Sequence, residues 1–563
     1  MPQTADPDRN ADTGLSRRTL LRAGGSGLGA LAVTGLTGAA SARAATRGTG
    51  AAQATVVGSG GCPMHSGSTG GPTYTPSATF GRLFPNLPPF AANSHHLRRA
   101  LLEIGEPGGL LDAKDDLFGP NGGPVNLITD PSLNLVNQNN PRDTAGMTFV
   151  GQFIDHDLTF DATSQLGVPT EPTTSPNGRS ARFDLDSVYG GGPVLQPELY
   201  DPADPVKLLV ESGGLFEDLP RRANGSAIIG DIRNDSNLVI AGLHAAFLKF
   251  HNHAVDVVRR PGLSPGQVFL EARRQTTWHY QWLVVNRVLP AFVGPDLVDA
   301  ALAAHQPLGG NGGPAYIPVE FSGAAYRFGH SMVRPSYRAN LAGDAGAPFF
   351  GLIFDSRVVV PDGQNPATDP GDLRGGFRAP RRFVGWQTFF DFGGPHSSAT
   401  RPNKLIDTIL STPLFALPTS AIAHVVGAPG PIALPQRTLL RHLTWSLPSG
   451  QSVAKHLHLP RLSRADLDDL RGFGLDLDRS TPLWLYVLRE AQLVNGGQYL
   501  GPVGGRIVAQ VMLGLLKADP TSYLTDHPTW RPHLTGSGGS TGGDYQIADF
   551  LRFAGVDPDS RGQ

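Results

Sequence analysis

Cysteine is almost absent from this 563-residue sequence, whose one cysteine is Cys62. A single cysteine cannot close an intramolecular disulfide, so an exported form would depend on packing, a bound metal or a cofactor for stability. Cys62 lies within Gly-Ser-Gly-Gly-Cys-Pro-Met-His, where there is little to bury. This setting favours a thiol on a flexible tail over the alternatives, an axial metal ligand or a reactive thiol.

Strong charge bias is also lacking, since the net charge is -2 and charged residues make up 17% of the chain. We therefore expect no nucleic-acid partner and no anionic membrane surface. Internal repeats are absent. The 71 glycines and 49 prolines follow no Gly-X-Y period, which excludes collagen and indicates many ordered loops.

Apolar runs of membrane-spanning length are lacking too, and the N-terminal stretch is too short and glycine-rich for stable membrane insertion. That stretch begins with Ser16-Arg17-Arg18-Thr19-Leu20-Leu21 and ends at Ala42-Arg43-Ala44. The pattern predicts a twin-arginine signal peptide over residues 1–44, the twin-arginine export machinery as a partner, and a secreted or extracytoplasmic protein. Residues 45–75 are predicted to be a disordered mature N-terminus, and residues 76–563 a single large domain.

A histidine stands between two carboxylates in the apolar run from Met147 to Asp161. At about 100° per residue, a helix here places Gln152, Asp155 and His156 on one face and turns Asp157 away. Because the surrounding phenylalanines and aliphatic residues leave few routes to water, a buried and paired cluster is favoured over a solvated surface turn. One helix is thereby predicted to serve two sites.

Hard oxygen donors alternate along the segment 178–190. In an extended loop, the side chains or carbonyls of alternate residues project to one side. Oxygen donors in such numbers are what calcium requires, and the outward-turned Asp157 can complete the set. The row consists of Ser180, Arg182, Asp184 and Asp186.

Helical periodicity predominates along the chain and strands are few, so we predict a mainly α fold with a single large multi-helix domain. The expected helices begin near Ser94, at Arg233 and at Ser264, the last stopped by Pro290. Further helices are predicted over 320–335, 402–426, 437–455 and 500–516. The segments 105–141 and 355–400 are predicted to be loops, the second inserted or exposed.

Two arginines flank His330 at helical spacing, Arg327 three residues before it and Arg334 four after. On one helix all three share a side, which suggests an anion beside the histidine. Arg233 is predicted in the first turn of its helix, where a cation is unfavourable for the helix dipole. Some other group is therefore expected to require that charge.

A haem would use these residues together. Neutral His330 can ligate its iron, while Arg327, with Arg441, can pair its propionates. His156 can take a proton from hydrogen peroxide and return it to the leaving oxygen, and Arg233 can stabilise the charge that develops there. This division of labour is peroxidase chemistry.

The sequence resembles the animal-type haem peroxidases of the peroxidase–cyclooxygenase superfamily, especially their bacterial secreted members. The resemblance spans roughly residues 90 to 555, and its motifs follow in the family's order. They are Gly151-Gln-Phe-Ile-Asp-His-Asp157, Leu185-Asp-Ser-Val-Tyr-Gly190, Gly230-Asp-Ile-Arg233, Tyr326-Arg-Phe-Gly-His330 and Leu500-Gly-Pro-Val-Gly504.

The resemblance implies haem b and a distal acid–base mechanism with a ferryl intermediate. His156 matches the distal histidine, Arg233 the distal arginine, and Gln152 the residue near the halide or peroxide pocket. Asp155 matches a carboxylate that can form an ester with a haem methyl. His330 matches the proximal iron ligand.

Further matches concern the propionates and a calcium ion. Arg327 and Arg441 match residues near the propionates. Five residues match the calcium site, with Arg182 acting through its carbonyl: Asp157, Ser180, Arg182, Asp184 and Asp186.

Two positions depart from the family pattern. Ser236 replaces a second ester-forming glutamate, so at most one ester is expected. An ungapped alignment places Thr438 where the family has an asparagine that hydrogen-bonds the proximal histidine. A threonine hydroxyl accepts that bond less strongly, which would make the ligand less imidazolate-like and raise the iron potential.

The predicted function is reduction of hydrogen peroxide with oxidation of halides, pseudohalides or small aromatic donors. A fatty-acid dioxygenase is the alternative within the superfamily, but its radical tyrosine position is Arg327 here, and Tyr326 is expected to point elsewhere. A non-catalytic exported haem- or calcium-binding protein would need neither His156 nor Arg233. A non-haem metal enzyme lacks usual ligand spacing in its candidate histidines, which are expected in the core or at the surface: His244, His251, His253 and His279.

Overall fold

The structure is a computed structural model. It describes residues 78–119, 122–129, 135–304, 308, 314–358, 369–422 and 430–563. The predicted signal peptide, the predicted tail over 45–75 and Cys62 lie outside the described residues. All described residues belong to the unit Gly61–Gln563. Within these ranges, every helix is too short or too polar to cross a bilayer.

Helices dominate the described chain and the strands are few and short, which confirms the predicted fold class. The longer helices are His95–Ile104, Gly146–Leu158, Leu238–Val258, Pro265–Leu283, Leu434–Thr444, Leu483–Asn495 and Pro502–Ala518. The shorter ones are Gly123–Thr129, Asp186–Tyr189, Gly192–Leu195, Leu289–Val293, Pro295–Ala303, Val319–Ser322, Gly329–Met332, Thr419–Ile422, Gly450–His456, Tyr523–Asp526, Ile547–Phe553 and Pro558–Arg561. The 3₁₀ segments are Pro172–Thr174, Pro197–Leu199, Ile232–Asp235, Ala325–Phe328, Trp386–Thr388, Gly394–Ala399, Thr412–Phe415, Ala465–Phe473 and Gly542–Asp544.

The strands of the described chain form two-stranded sheets. Three pairs are antiparallel: Asn139–Thr144 with Pro402–Lys404, Glu211–Ser212 with Glu217–Asp218, and Ser336–Asp344 with Ala347–Leu352. The fourth pair, Phe80–Gly81 with Ile317–Pro318, is parallel. In the longest hairpin, Ala345 and Gly346 both have positive φ (53° and 90°), as a tight two-residue turn requires.

The helix Leu238–Val258 is central to the core, and nearly all of its apolar residues are buried. Asn237 caps it, because its side-chain oxygen accepts hydrogen bonds from the backbone N–H groups of Val239 and Ile240. The ring of Phe247 stacks on Phe153 at 4.4 Å between centroids. Burial of one such ring contributes about 1.5–3 kcal/mol, so this contact fixes the helix Gly146–Leu158 against the core.

The predicted helix starting at Arg233 is wrong at its beginning. Arg233 lies in the separate 3₁₀ turn Ile232–Asp235, and the long helix begins at Leu238. Asn237 has an extended backbone (φ -148°, ψ 162°), which interrupts the helical path while its side chain caps the next helix. The expected penalty for a cation in the first turn of the long helix therefore does not arise.

Pro290 does not stop the helix that begins after Ser264. The chain passes from Pro265–Leu283 through a π-helical turn, Val284–Val288, into Leu289–Val293. Pro290 lies at the start of the last segment, where its missing N–H is tolerated. Gly294, with φ of 83°, ends the helical run.

Other predicted elements also need correction. Among the described residues of the loop expected over 105–141, the structure has the helix Gly123–Thr129 and the start of the strand Asn139–Thr144, and the other described residues lack regular structure. The region 355–400 is not a simple exposed loop, because Trp386, Phe389 and Phe390 are buried in the core. The described part of 402–426 is mostly non-helical, and the helix expected over 437–455 is two helices that break after Thr444.

Candidate active site

A cavity of about 280 Å³ lies between four parts of the chain. They are the helix Gly146–Leu158 (the site helix), the turn Ile232–Asp235 with the residues that follow it (the arginine turn), the segment 322–333, and the helix Leu434–Thr444. Apolar lining residues include Phe80, Phe149, Phe292, Phe328, Met332, Ile353, Phe354, Leu414, Leu417, Leu434 and Trp445. Polar lining residues include Gln152, Asp155, His156, Asp161, Arg233, Ser236, Asn237, Arg327, His330, Arg437 and Arg441.

The site helix presents two faces, as its spacing predicts. Gln152, Asp155 and His156 line the cavity. Asp157 is fully buried away from them, close to the carboxylates of Asp184 and Asp186. The helix ends at Thr159, whose backbone is extended (φ -133°, ψ 136°). The chemical roles given to these residues remain predictions.

His156 is held by a chain of two hydrogen bonds. Its Nδ1 lies 2.8 Å from the side-chain oxygen of Asn234, which can only accept, so Nδ1 carries the proton. The amide nitrogen of Asn234 in turn donates to Nδ1 of His244 at 3.0 Å. This arrangement leaves Nε2 of His156 as the nitrogen with a lone pair, which is the form that a general base needs.

Arg233 is fixed by one carboxylate and by the end of the site helix. Its Nε and Nη2 donate hydrogen bonds to the two carboxylate oxygens of Asp231 at 2.9 and 2.7 Å. Nη2 also donates to the carbonyls of His156 (3.0 Å) and Thr159 (2.5 Å), at the negative end of the helix dipole. The other terminal nitrogen, Nη1, lies 4.0 Å from the carboxylate of Asp155. The guanidinium is thus oriented before any substrate arrives.

Gln152 and Asp155 complete this side of the cavity. The amide nitrogen of Gln152 donates to the Ser236 hydroxyl, and its oxygen accepts from Asn237, both at 3.2 Å. Burial raises the pKa of Asp155, while Arg233 and Arg327 oppose that rise. The hydroxyl of Thr159 donates to Asp155 at 3.1 Å.

His330 lines the cavity as a neutral imidazole. Burial lowers its pKa to about 3, and the positive charge of Arg327 adds to this effect. The Thr438 hydroxyl lies 3.3 Å from Nδ1 and gives its own proton to the carbonyl of Leu434 at 3.0 Å. Its oxygen is therefore left to accept from Nδ1–H, and Nε2 is the nitrogen that can bind a metal.

Three guanidiniums line the cavity near His330, but only one of them has a carboxylate partner. Arg441 pairs with Asp161 at 2.6 Å. In the described part of the chain, no carboxylate lies within 4.0 Å of Arg327 or Arg437, which bond the backbone carbonyls of Ser322 and Pro431. Burial, with Arg441 nearby, lowers the pKa of both arginines to about 10. The cavity therefore offers two uncompensated positive charges at neutral pH.

Arg334 does not share a face with Arg327 and His330. The chain leaves the helical conformation at Val333, and Arg334 is buried elsewhere with 1% exposure. Its guanidinium donates to the carbonyls of Asn137, Pro402 and Asn403. Arg334 thus hydrogen-bonds both strands of the pair Asn139–Thr144 and Pro402–Lys404 and does not line the cavity.

Tyr326 lines the cavity, contrary to the expectation that it would point elsewhere. The segment is a 3₁₀ turn followed by a short α-helix, so α-helical spacing does not apply to it. The Tyr326 hydroxyl donates to the carbonyl of Gly151 at 3.3 Å. Burial, together with Asp155, raises its pKa well above the usual value.

Asp157, Asp184 and Asp186 form a group that we call the aspartate cluster, in which Asp157 and Asp186 are fully buried. One carboxylate oxygen from each lies within 4.8 Å of the others. Burial raises the pKa of all three, to about 7 for Asp186, and mutual repulsion adds to the rise for Asp157. A divalent cation would remove this cost, since carboxylate oxygens are its preferred ligands.

The two other predicted cation ligands lie in the same segment. The Ser180 hydroxyl donates to Asp184 at 2.9 Å, and its backbone N–H donates to Asp186 at 2.9 Å. The Arg182 guanidinium lies 3.9 Å from Asp519 and is about half exposed. The side chain of Arg182 is thus occupied elsewhere, which leaves the predicted contribution to its carbonyl.

The remaining histidines of the core do not form a metal site in the described residues. His251 bonds the Tyr189 hydroxyl and the carbonyl of Val206. His279 bonds the carbonyl of Gln275. Across the same ranges, the aspartate cluster alone has the geometry to hold a metal ion through histidine, cysteine or carboxylate side chains.

Part of the chain is similar to known proteins. Residues 162–346 match a family model described as Animal haem peroxidase. The chain is 29% identical to Heme peroxidase 2 of Caenorhabditis elegans over 182 residues, which are 28% of this chain and 24% of that protein. It is 24% identical to Thyroid peroxidase of Homo sapiens over 191 residues, 30% of this chain and 20% of that protein. The similarity to animal haem peroxidases is thus local: the family model and these relatives each match about a third of this chain or less, and the chain spans only about a quarter of the length of the curated relatives.

Solved structures show the same fold over most of the chain. Peroxidase A from Dictyostelium discoideum has a TM-score of 0.53 and 15% identity, over 81% of this chain and 89% of that chain. A fatty acid alpha-dioxygenase from Oryza sativa has a TM-score of 0.53 and 17% identity, over 80% and 76%. Both likenesses concern the fold alone.

Sequence reasoning missed Asn234 and Arg437 as site residues. Asn234 directly follows Arg233 in the arginine turn, but only the fold reveals that it reaches His156. Arg437 precedes Arg441 by four residues on one helix, so the two share a face, and that spacing was an available signal.

Proposed function

We propose that this protein is a haem-dependent peroxidase of the animal haem peroxidase family, an oxidoreductase that reduces hydrogen peroxide. One observation carries the proposal. A single cavity is lined by a neutral histidine with an available Nε2, by a histidine–arginine pair, and by two guanidiniums without carboxylate partners. Simple haem storage would require neither His156 nor Arg233.

The residues around His330 fit haem b. A neutral imidazole is an iron ligand, and the apolar walls suit a porphyrin. Arg327 and Arg437 are the guanidiniums free of carboxylates, so they fit the two propionates better than Arg441, which Asp161 already neutralises. Arg441, whose charge is balanced by Asp161, would then contribute less to holding the propionates. When bound, the haem iron supplies the electrons that reduce the peroxide O–O bond.

The residues around His156 handle the protons and the charge. Nε2 of His156 accepts a proton from one oxygen of hydrogen peroxide and returns it to the other oxygen, which leaves as water. Arg233 stabilises the negative charge that develops on that oxygen. Gln152, held by Ser236 and Asn237, supplies an amide at the peroxide or halide position.

Two further features belong to the proposal. The aspartate cluster binds calcium, with Ser180 and the carbonyl of Arg182, and so fixes the side of the site helix that faces away from the cavity. Asp155, on the cavity wall, would be the residue that forms one ester with a haem methyl, with hydrogen peroxide as the two-electron oxidant and water as the by-product. Export by the twin-arginine pathway, with residues 76–563 as the peroxidase domain, completes the proposal.

The experiment is to add haem b to the purified full-length protein and record its absorption spectrum. We expect a Soret band and, in stopped-flow mixing with peroxide, a rapid spectral change that bromide, chloride, iodide, thiocyanate or phenols reverse. The donor that reverses it fastest identifies the class of reducing substrate. A protein that develops no Soret band would contradict the proposal.

A fatty-acid dioxygenase is the second candidate, and the position of Tyr326 on the cavity wall favours it. Such an enzyme would consume dioxygen when given a long-chain fatty acid, and a Tyr326→Phe substitution would abolish that uptake. The peroxidase proposal expects no dioxygen uptake with fatty acid and an unchanged peroxide reaction in Tyr326→Phe.

A further inference from the structure

Charges of alternating sign run from the aspartate cluster to the cavity. Asp186 lies 3.3 Å from Nη1 of Arg179, whose Nε lies 3.6 Å from Asp231. Asp231 in turn pairs with Arg233 at 2.7 Å, and Arg233 lies 4.0 Å from Asp155 on the cavity wall. A continuous ionic path therefore joins the two faces of the site helix by a route outside the helix itself.

Asp231 is built to hold a guanidinium in one orientation. Its carboxylate accepts from the backbone N–H, Nε and Nη2 of Arg233, so both the main chain and the side chain of that arginine are fixed. Its side chain is fully buried. Burial alone would raise the pKa of Asp231, but Arg233 and Arg179 hold it well below the usual value. Asp231 stays ionised with two cations on either side of it.

The backbone supports the same connection. A Cβ added to Gly230 would lie 2.5 Å from the carbonyl oxygen of Ser187, so only glycine lets this segment lie against the residues after Asp186. Phe160 lies beneath both cations, 4.8 Å from Arg233 and 5.9 Å from Arg179. Arg179 and Arg233 are therefore held on one surface, with Asp231 between them.

We propose that Asp231 and Arg179 are positioning residues for Arg233, and that Arg179 anchors this arrangement to the aspartate cluster through Asp186. Neither residue lines the cavity, so both act through Arg233. Without Asp231, the Arg233 side chain keeps the carbonyls of His156 and Thr159 as its hydrogen-bond acceptors and rotates more freely. Without Arg179, Asp231 loses its second cation and its link to Asp186. The inference rests on the proposed function, which it extends to these two residues.

The chain offers a matched control in Asp372–Leu373–Arg374. This pair repeats the Asp-x-Arg arrangement, with both charged residues buried and Arg374 Nε 2.8–2.9 Å from the two oxygens of Asp372. Arg374 does not line the cavity. Asp372→Asn therefore measures the general cost of breaking such a buried pair.

The first test compares haem affinity and the second-order rate with peroxide in Asp231→Asn, Asp372→Asn, Arg179→Gln and Arg179→Lys. We expect Asp231→Asn to slow the peroxide reaction at least about tenfold more than Asp372→Asn, with haem affinity unchanged. Arg179→Gln should slow it less, and Arg179→Lys should restore most of the loss. Equal rates in Asp231→Asn and Asp372→Asn, or no rescue by lysine, would overturn the inference.

The second test needs no peroxidase activity and so separates this inference from the proposed function. Thermal unfolding is measured for Arg179→Gln, Arg233→Gln and the double variant of the full-length protein. Asp231 becomes an unpaired buried charge only when both cations are gone. The melting temperature of the double variant should therefore fall by more than the sum of the falls in the two single variants. The excess should vanish when Asp231→Asn is also present. Additive shifts would overturn the inference even in a protein that proves to be an active peroxidase.

Discussion

The residues around His156 and those around His330 line one cavity, but their charges are balanced in different ways. Around His156, the cation Arg233 is paired with a buried carboxylate and two helix-end carbonyls. Around His330, Arg327 and Arg437 have only backbone carbonyls as hydrogen-bond partners in the described chain. The first region is electrostatically complete, whereas the second is complete only with an anionic ligand.

This difference suits the region around His156 to proton transfer and the region around His330 to binding an anionic ligand. A side chain that must take a proton or stabilise transient charge works best when its orientation is fixed in advance. A region that must bind a dianionic cofactor needs unpaired cations, at a cost in the stability of the empty protein. Substitutions around His330 should therefore change the haem spectrum and haem affinity, whereas substitutions around His156 should change the rate of the peroxide reaction.

The largest effect is expected for His330→Ala. Removal of the proposed iron ligand should abolish the normal Soret spectrum. The haem-free protein should still fold, because the His330 imidazole makes one weak hydrogen bond. The check is a titration with haem b followed by absorbance, together with circular dichroism of the haem-free form. His442→Gln, one of the buried histidines outside the cavity, is the control and should bind haem normally. An unchanged spectrum in His330→Ala would remove His330 from its proposed role.

His156→Ala should leave the Soret band in place and slow the peroxide reaction by about 10²–10⁴-fold, since a positioned base contributes that much. Stopped-flow absorbance measures the rate. Asn234→Leu, which removes the acceptor for Nδ1–H, should slow it less, because it frees the tautomer and ring orientation without removing the base. A normal peroxide rate in His156→Ala would show that the two regions do not divide their tasks as the charges suggest.

Part of this arrangement can be predicted from the sequence. Helical spacing alone predicts that Gln152, Asp155 and His156 face one way and Asp157 the other, because a 13-residue helix leaves little freedom. The same reasoning misplaces Arg334, since the chain turns into a strand after Val333, and it misses Asn234, since its contact with His156 spans 78 residues. Local periodicity predicts faces, whereas contacts between distant segments depend on turns that tertiary packing determines.

Arg437→Gln tests which arginines balance the negative charge of the propionates of the proposed haem. Loss of an unpaired cation should weaken haem affinity about tenfold and leave folding intact. Arg441→Gln, one turn further along the same helix, should instead lower the melting temperature, because it leaves the half-buried Asp161 without its ion-pair partner. Haem titration and thermal unfolding of both variants are the measurements. A greater affinity loss in Arg441→Gln would favour the residues that the family resemblance implies.

Asp157→Ala tests whether the far face of the site helix supports the near one. Loss of this carboxylate should release bound calcium and slow the peroxide reaction several-fold while the haem spectrum stays the same, because the helix that carries His156 is less firmly held. Calcium content by elemental analysis and the stopped-flow rate are measured together. Ser187→Ala removes a 3.0 Å hydrogen bond to Asp157 but keeps all three carboxylates, so it should retain calcium. Unchanged calcium content and rate in Asp157→Ala would contradict the proposed link.

A separate effect, on stability and its dependence on pH, is expected in the helix that carries Arg437 and Arg441. His442 donates from Nδ1 to the carbonyl of Thr438 and accepts at Nε2 from the backbone N–H of Trp484, so it is held neutral. Burial lowers its pKa to about 4, below the value of about 6.5 expected in the unfolded chain. As pH falls from 6.5 to 4, the unfolded state binds the proton first, and the native state loses about 1.4 kcal/mol per pH unit from this group. His442→Gln should therefore be less stable than the native sequence at pH 7, and the difference in unfolding free energy should narrow toward pH 4. Urea unfolding at several pH values measures that difference, and a constant gap would show that His442 does not titrate as its burial requires.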